Sequence, residues 1–324
     1  MHLAHIGLMF ASMRGEEPLA EAGLVLLGER LQKAAKEVKP AAKGDPDGVH
    51  DLRVAIRKIR AAVSVLEETI LDEGALEKED EKLSRLFSAL GDVRDHDVLA
   101  LGVKRNAKRE KLDKKATAKL RDQLDDQGKR AAKELRAVMR AEDPRRLLKK
   151  VRRKAKRAFA KAGPHGDDHR VLVRHFAPSV LLRRYEMVLA FEAIMPASVD
   201  ELHRLRVAVK KLRYAVDFFG EALGRDAGHL DKSLQTAQDQ LGDLHDHHVA
   251  CDAVAKVEGK RSPKAKEKKA LATLRRADTA EMKRLRATFM HTWKTIAHGA
   301  VATSLAHAIL ALVGRNGTRS STRS

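Results

Sequence analysis

The feature that most constrains this chain is a doubled basic string. His50-Asp51-Leu52-Arg53-Val54-Ala55-Ile56-Arg57-Lys58-Ile59-Arg60 recurs as His203-Arg204-Leu205-Arg206-Val207-Ala208-Val209-Lys210-Lys211-Leu212-Arg213, with seven of eleven positions identical. Each copy is followed at nearly the same spacing by a second shared string, Leu90-Gly91-Asp92-Val93-Arg94-Asp95-His96-Asp97 and Leu241-Gly242-Asp243-Leu244-His245-Asp246-His247-His248. Matched strings at matched spacing mark an internal duplication, so the two halves are expected to fold alike.

On a helix, His50, Arg53, Arg57 and Arg60 fall within an arc of roughly 80°, while Leu52, Ile56, Ile59 and Val63 share the neighbouring face. His203, Arg206, Lys210 and Arg213 repeat the pattern. The apolar stripe anchors the helix and leaves a row of cations about 15 Å long. Like charges three and four residues apart cost a helix some tenths of a kcal/mol per pair, so two such rows point to an anionic ligand that neutralises them. Lys58 and Lys211 lie outside the arc and either flank the groove or face water. Each histidine sits at the edge of its row, either charged beside a phosphate or neutral and hydrogen-bonded within the bundle.

Composition agrees with an anionic partner. The 324 residues carry 65 Lys and Arg against 45 Asp and Glu, a net charge of +20 with a pI near 10.1. Aromatic residues are only 3% of the chain, which leaves few platforms for unstacked bases and weighs against single-stranded nucleic acid. One cysteine, Cys251, allows no internal disulfide and fits a reducing cytoplasm. The first residues lack the basic flank and cleavage site of a signal peptide, and either Met1 or Met13 could serve as the start. Ala300 to Val313 is apolar but interrupted, and is expected to be a packed helix and not a membrane span.

Long Ala, Leu, Lys, Arg and Glu stretches at helical spacing predict an all-α chain. The spacing predicts an N-terminal extension over 1–17, a first helical half over 18–163, a linker at 164–168, a second half over 169–313 and a disordered tail at 314–324. Within the first half, Pro40, Gly44, Pro46 and Gly48 are expected to separate a helix near 18–38 from the signature helix near 47–71, with Asp47 as its cap. Gly91 is expected to mark a kink or close packing. Gly220, Gly224 and Gly228 should break the chain after the second signature helix. The basic run from Arg145 to Arg157 has cations all round a helix, more than one face can hold, and most are expected to be solvated. Asp92, Asp95, Asp97, Asp243 and Asp246 are expected to hold the cations in fixed rotamers.

The pair of His-x-x-Arg-Val-x-x-Arg/Lys-Lys-x-Arg strings, each followed by Leu-Gly-Asp-x-x-Asp, resembles the CHAD family, the conserved histidine α-helical domain, over roughly residues 18 to 295. The resemblance implies two four-helix bundles related by approximate twofold symmetry around a basic central channel that binds inorganic polyphosphate. It implies His50, Arg53, Arg57, Lys58 and Arg60 with His203, Arg206, Lys210, Lys211 and Arg213 as the polyphosphate-binding residues, and association with polyphosphate granules. Lys210 stands where its counterpart is Arg57, so a planar fork becomes a point charge. No Glu-x-Glu-x-Lys string of the triphosphate-tunnel type is present, so the chain resembles a stand-alone member.

Three other readings compete. His245-Asp246-His247-His248 has the spacing of metal ligands, but its counterpart Arg94-Asp95-His96-Asp97 lacks two of the imidazoles, so no metal is expected. No Gly-x-x-x-x-Gly-Lys string or nucleophile setting appears, so binding is expected in place of catalysis, with no cofactor, and a metal-dependent phosphohydrolase is the weakest alternative. A histone-like protein binding nucleic acid without sequence preference is the main rival, and where the cations point decides between it and a narrow channel. Either polyanion should be held largely by charge. Affinity is therefore expected to fall by orders of magnitude between about 50 and 200 mM salt in a titration followed by fluorescence anisotropy, whereas a flat salt response would exclude electrostatic binding.

Overall fold

In a computed structural model the described residues are 13–72, 74–162, 171–260 and 264–314. Among them the chain is all α: ten long helices, one four-residue helix and a 3-10 segment at Ala190–Ile194, with a lone antiparallel bridge between Pro18 and Leu172. The N-terminal half contributes α1 (Leu19–Ala42), α2 (Pro46–Glu67), α3 (Glu77–Arg109), α4 (Ala118–Glu142) and α5 (Pro144–Ala162). The C-terminal half contributes α6 (Val173–Leu189), α7 (Val199–Phe218), the short α8 (Gly220–Leu223), α9 (Arg225–Lys260), α10 (Ala265–Ala297) and α11 (Ala300–Gly314). The expected linker and tail, and most of the N-terminal extension, lie outside the described residues.

The two signature helices form for local reasons. α2 starts where the Asp45 carboxylate accepts from the Gly48 N–H at 2.8 Å and Pro46 takes the first helical position. The cap is thus Asp45 and not Asp47, because a proline at the first position needs the capping residue directly before it. α7 begins with a capping box: the Ser198 hydroxyl accepts from the Glu201 N–H, and the Ser198 N–H donates to the Glu201 carboxylate at 2.6 Å. Leu52, Ile56, Ile59 and Val63 on α2, and Leu205, Val209, Leu212 and Val216 on α7, are fully buried, as the apolar stripes require.

Some predicted breaks move. α1 continues through Pro40, whose carbonyl accepts from the Lys43 N–H at 3.0 Å, and the turn comes at Gly44 with φ +79°. The chain then packs tightly, for a Cβ on Gly48 would stand 2.4 Å from the Pro40 Cβ and 2.8 Å from the Ala41 nitrogen. Gly224, at φ +65°, makes the break before α9, while Gly228 lies inside that helix. The basic run is the helix α5, starting at Pro144 after Asp143 at φ +40° and packed against α1 and α3 through Leu147, Leu148, Val151 and Ala155. Its cations are not spread all round: Lys150 and Lys154 turn inward to the buried Glu79 at 3.0 and 2.7 Å, and the others share one exposed side.

One hydrophobic core runs through both halves, from Met13 to Leu312, and a smaller cluster joins α3 and α4 to α9 and α10 around Leu99, Leu124, Val254 and Leu271. An 18-residue window within Ala265–Gly314 reaches a mean hydropathy of 1.7, long and apolar enough by composition to cross a bilayer, with a third of it buried. A turn at His298 and Gly299 divides that stretch, and Val301, Leu305, Ala308 and Leu312 of α11 are buried against the rest of the fold.

The halves also exchange arms. Arg30 of α1 donates to the Lys58 carbonyl on α2 at 2.8 Å and reaches across to Asp217 of α7 at 2.8 Å. Arg184 of α6 donates to the Lys211 carbonyl on α7 at 3.0 Å and reaches across to Glu68, just after α2, at 2.6 Å and to Ser64 of α2 at 3.4 Å. Lys58 and Lys211 are counterparts in the duplicated strings, and so, in register, are Ser64 and Asp217. Both arginines are nearly inaccessible, at 7% and 5% exposed, so each carries a desolvated charge that depends on its partners. Removing one, as Arg30→Met or Arg184→Met, should lower unfolding free energy by roughly 3 kcal/mol in urea denaturation. An unchanged midpoint would reduce the clamps to surface ion pairs.

Candidate functional site

α2 packs directly on α7, and this contact brings the two cationic rows together. Arg53 and Arg57 on α2 and Arg206 and Lys210 on α7 are all half-buried. Burial pushes Lys210 down to about 8, with Arg206, Arg57 and Arg53 adding to the effect. Arg57 is lowered likewise, chiefly by burial, which Tyr214 opposes, with Arg53, Arg213 and Arg206 adding smaller effects in the same direction as burial. Each row therefore lies within the field of the other. Between them opens a cleft of about 420 Å³ whose lining includes Arg57, Arg60, Lys210, Lys211 and Tyr214.

Two devices position the arginines. The first is the glycine of the second repeated string. A Cβ on Gly91 would come within 3.3 Å of the Arg53 guanidinium, and one on Gly242 within 3.7 Å of that of Arg206. The missing side chain of Gly91 lets α3 lie close against Arg53, whereas at Gly242 of α9 a Cβ would make only ordinary contact with Arg206. Close packing is thus the role of Gly91, which lies within the unbroken helix α3. The second device is aromatic: the Arg53 guanidinium lies 5.1 Å from the Phe87 ring centre, and Arg57 lies 5.3 Å from that of Tyr214, which belongs to the opposite half. The Nε atoms of Arg53, Arg57 and Arg206 and the Tyr214 hydroxyl are buried and make no hydrogen bond. The facing cluster, of which Arg57 and Lys210 line the cleft, thus keeps donors that no acceptor among the described residues takes up.

The ten residues named from sequence divide. Arg53, Arg57, Arg206 and Lys210 form the facing cluster. Arg60 is held in a fork by Asp80 at 2.8 and 2.9 Å, and Arg213 by Asp231 at 2.8 Å with Gln235 at 3.2 Å. Lys58 pairs with Asp217 at 2.9 Å. Lys211 and His50 are exposed. The ring of His203 lies 4.8 Å from that of His245, and partial burial, then Arg206, holds both below the usual histidine range. The carboxylates that fix the cations are therefore mainly Asp80, Asp217 and Asp231. Of the acidic residues in the Leu-Gly-Asp strings, Asp95 comes within 3.7 Å of Arg53, and its duplicate Asp246 lies in the field of Arg206.

Sequence reasoning missed Arg30, Arg184, Phe87, Tyr214, Asp80 and Asp231. Asp80 and Asp231 carried a signal, standing at equivalent places in the duplication, as do Arg30 and Arg184. Tyr214 carried none, since its counterpart is Ala61. The His245–His248 group splits up: His245 faces His203, His247 bonds to the buried Asp278 at 2.7 Å together with Asn106, and His248 lies 3.7 Å from Asp252. Among the described residues no three His, Cys, Asp or Glu side chains converge as metal ligands.

The family model of the CHAD domain matches residues 25–255 of this chain. Among solved structures, the chain is similar to the CHAD domain from the plant Ricinus communis, at 21% identity, over 89% of this chain and 94% of that one, with a TM-score of 0.69. It is also similar to PptA from Streptomyces chartreusis, at 16% identity, over 86% of this chain and 100% of that one, with a TM-score of 0.64. No curated protein matches.

The facing cations set stability against affinity. Lys210 titrates lower in the folded chain than in the unfolded one, so between about pH 8 and 10.5 the unfolded state binds more protons and the fold gains stability as pH rises. Below pH 8 the full penalty applies. Lys210→Met should therefore raise the melting temperature at pH 7 by several degrees and flatten the gain between pH 8 and 10.5. Differential scanning fluorimetry across pH checks this, and a variant that melts lower at pH 7 would refute it.

Proposed function

The chain belongs to the CHAD domain family, and from that premise we propose that it binds inorganic polyphosphate in a channel between two helical-bundle halves related by an approximate twofold axis. The observation that carries this reading is the packing of α2 on α7, which sets Arg53 and Arg57 beside Arg206 and Lys210, where burial first and then cations of both helices lower Arg57 and Lys210. Such a cluster costs stability while empty and is relieved by a multivalent anion. The reciprocal Arg30 and Arg184 clamps support the twofold relation, because equivalent positions in the two halves make equivalent crossings.

A thin phosphate chain is favoured over a duplex for this site, since a cleft of about 420 Å³ takes only a short run of phosphates. Binding proceeds by exchange of counterions for Arg53, Arg57, Arg206 and Lys210, of which Arg53 and Arg57 are already oriented by aromatic rings. The flanking Arg60, Arg213, Lys58 and Lys211 extend the field. His203 and His245, neutral in the free protein at pH 7, take up protons beside a phosphate, so affinity tightens as pH falls toward 6. The reading assigns a binding role without turnover, suited to a cytoplasmic protein that attaches to polyphosphate granules.

The test is a charge-reversal cycle with long-chain polyphosphate. Arg53→Glu with Arg57→Glu should abolish most binding. Adding Arg206→Glu with Lys210→Glu should weaken it little further, because one chain grips both rows and either pair suffices to expel it. Calorimetric penalties that simply add would mean separate surfaces and refute the single channel.

A further inference from the structure

The cleft does not account for where this chain carries its surplus charge. Its cations are partly balanced by Asp80, Asp95, Asp217 and Asp231. The outer side of α5 is not. Arg145, Arg146, Lys149, Arg152, Arg153, Lys156 and Arg157 are all exposed, none makes an ion pair among the described residues, and α5 contains no acidic residue. They span about 18 Å of helix and an arc of roughly 140°. Arg145, Lys149, Arg152 and Lys156 form one row, and Arg146, Arg153 and Arg157 form a second beside it.

The helix is fastened from behind. Its apolar residues Leu147, Leu148, Val151 and Ala155 are buried against the fold, and Lys150 and Lys154 grip Glu79, which is 0% exposed. Burial pushes the Glu79 carboxyl up, but Lys154 and Lys150 outweigh it and hold it low, so this anchor stays charged. The seven outer cations therefore sit on an anchored helix, and no ion pair among the described residues relieves the repulsion between them.

We propose that this face of α5 is a second polyanion surface that docks on the phosphate backbone of duplex nucleic acid, so that the protein can hold a duplex outside while its cleft holds a phosphate chain. The chemistry of the face selects the partner. An amphipathic helix that lies in a bilayer offers apolar side chains to the lipid, and those of α5 are turned inward. A protein interface needs an apolar or aromatic centre, and single strands need stacking platforms; the seven-cation face has neither. A thin chain satisfies one row of cations, whereas two rows on a helix 10–12 Å across match a duplex, which presents phosphates on both sides of a groove about 12 Å wide. No base is read by such a face, so binding is indifferent to sequence.

The experiment compares two variants of the full chain, Arg152→Gln/Arg153→Gln/Lys156→Gln on α5 and Arg57→Glu/Arg206→Glu in the cleft. The probes are a random-sequence DNA duplex, a short inorganic polyphosphate, and vesicles of phosphatidylglycerol in phosphatidylcholine. The α5 variant should bind duplex at least tenfold more weakly, lower the salt slope by about 3, and keep its affinity for short polyphosphate. The cleft variant should do the reverse. Wild-type protein saturated with short polyphosphate should still bind duplex. Because the duplex arm is measured without polyphosphate, it stands or falls apart from the channel reading. Duplex binding that survives in the α5 variant, or that is lost only in the cleft variant, would overturn the proposal. So would displacement of duplex by one equivalent of short polyphosphate, or binding of the face to vesicles in preference to DNA.

Discussion

Repulsion between two rows of cations is the constraint on which the rest of this structure depends. Helices α2 and α7 are pressed together by buried Leu, Ile and Val side chains, and the same contact brings Arg53 and Arg57 toward Arg206 and Lys210. Burying apolar surface is worth about 25 cal/mol per Å², enough for an extended helix pair to outweigh a few unfavourable charge contacts. The depressed Lys210 reflects its burial first and the neighbouring cations second. A site organised in this way is unfavourable to the empty protein, and that is what gives an anion something to gain.

The surrounding contacts hold this arrangement in place. Arg30 and Arg184 cross between the halves and tie the signature helices to each other's carboxylates. Asp80 and Asp231 take up the outermost arginines, so that the repulsion is concentrated at the centre of the cleft and falls off at its ends. Gly91 lets α3 approach the Arg53 guanidinium without displacing it. Phe87 and Tyr214 give Arg53 and Arg57 a flat apolar surface that accepts a cation without neutralising it. Few aromatic residues are present, and two of them serve this purpose.

Helix α5 shows the same residue types under a different constraint. Its seven outer cations are spaced by the helix alone, face water and make no ion pair among the described residues, whereas those of the cleft are mostly half-buried and partly stacked or paired. The chain therefore carries two kinds of positive surface, one enclosed and one open. A duplex and a thin phosphate chain differ chiefly in width, and the two surfaces differ in the same respect.

The sequence by itself determined the helical class and the duplication, and named ten residues among which the four facing cations lie, because those depend on local periodicity and on spacing that is repeated almost intact. The buried stripes of α2 and α7 follow the periodicity residue for residue. Pro144 begins α5, since proline at the first turn is a local preference. Tertiary structure decided which charges are free and which are paired. Arg60, Lys58 and Arg213 look the same as Arg57 in the repeat, yet they meet Asp80, Asp217 and Asp231, which come from other turns or other helices. Tyr214 under Arg57 and the cross-half reach of Arg30 join residues more than 150 positions apart. Neither can be read from periodicity, because helical spacing specifies which face a side chain shares and says nothing of what the fold brings opposite to it.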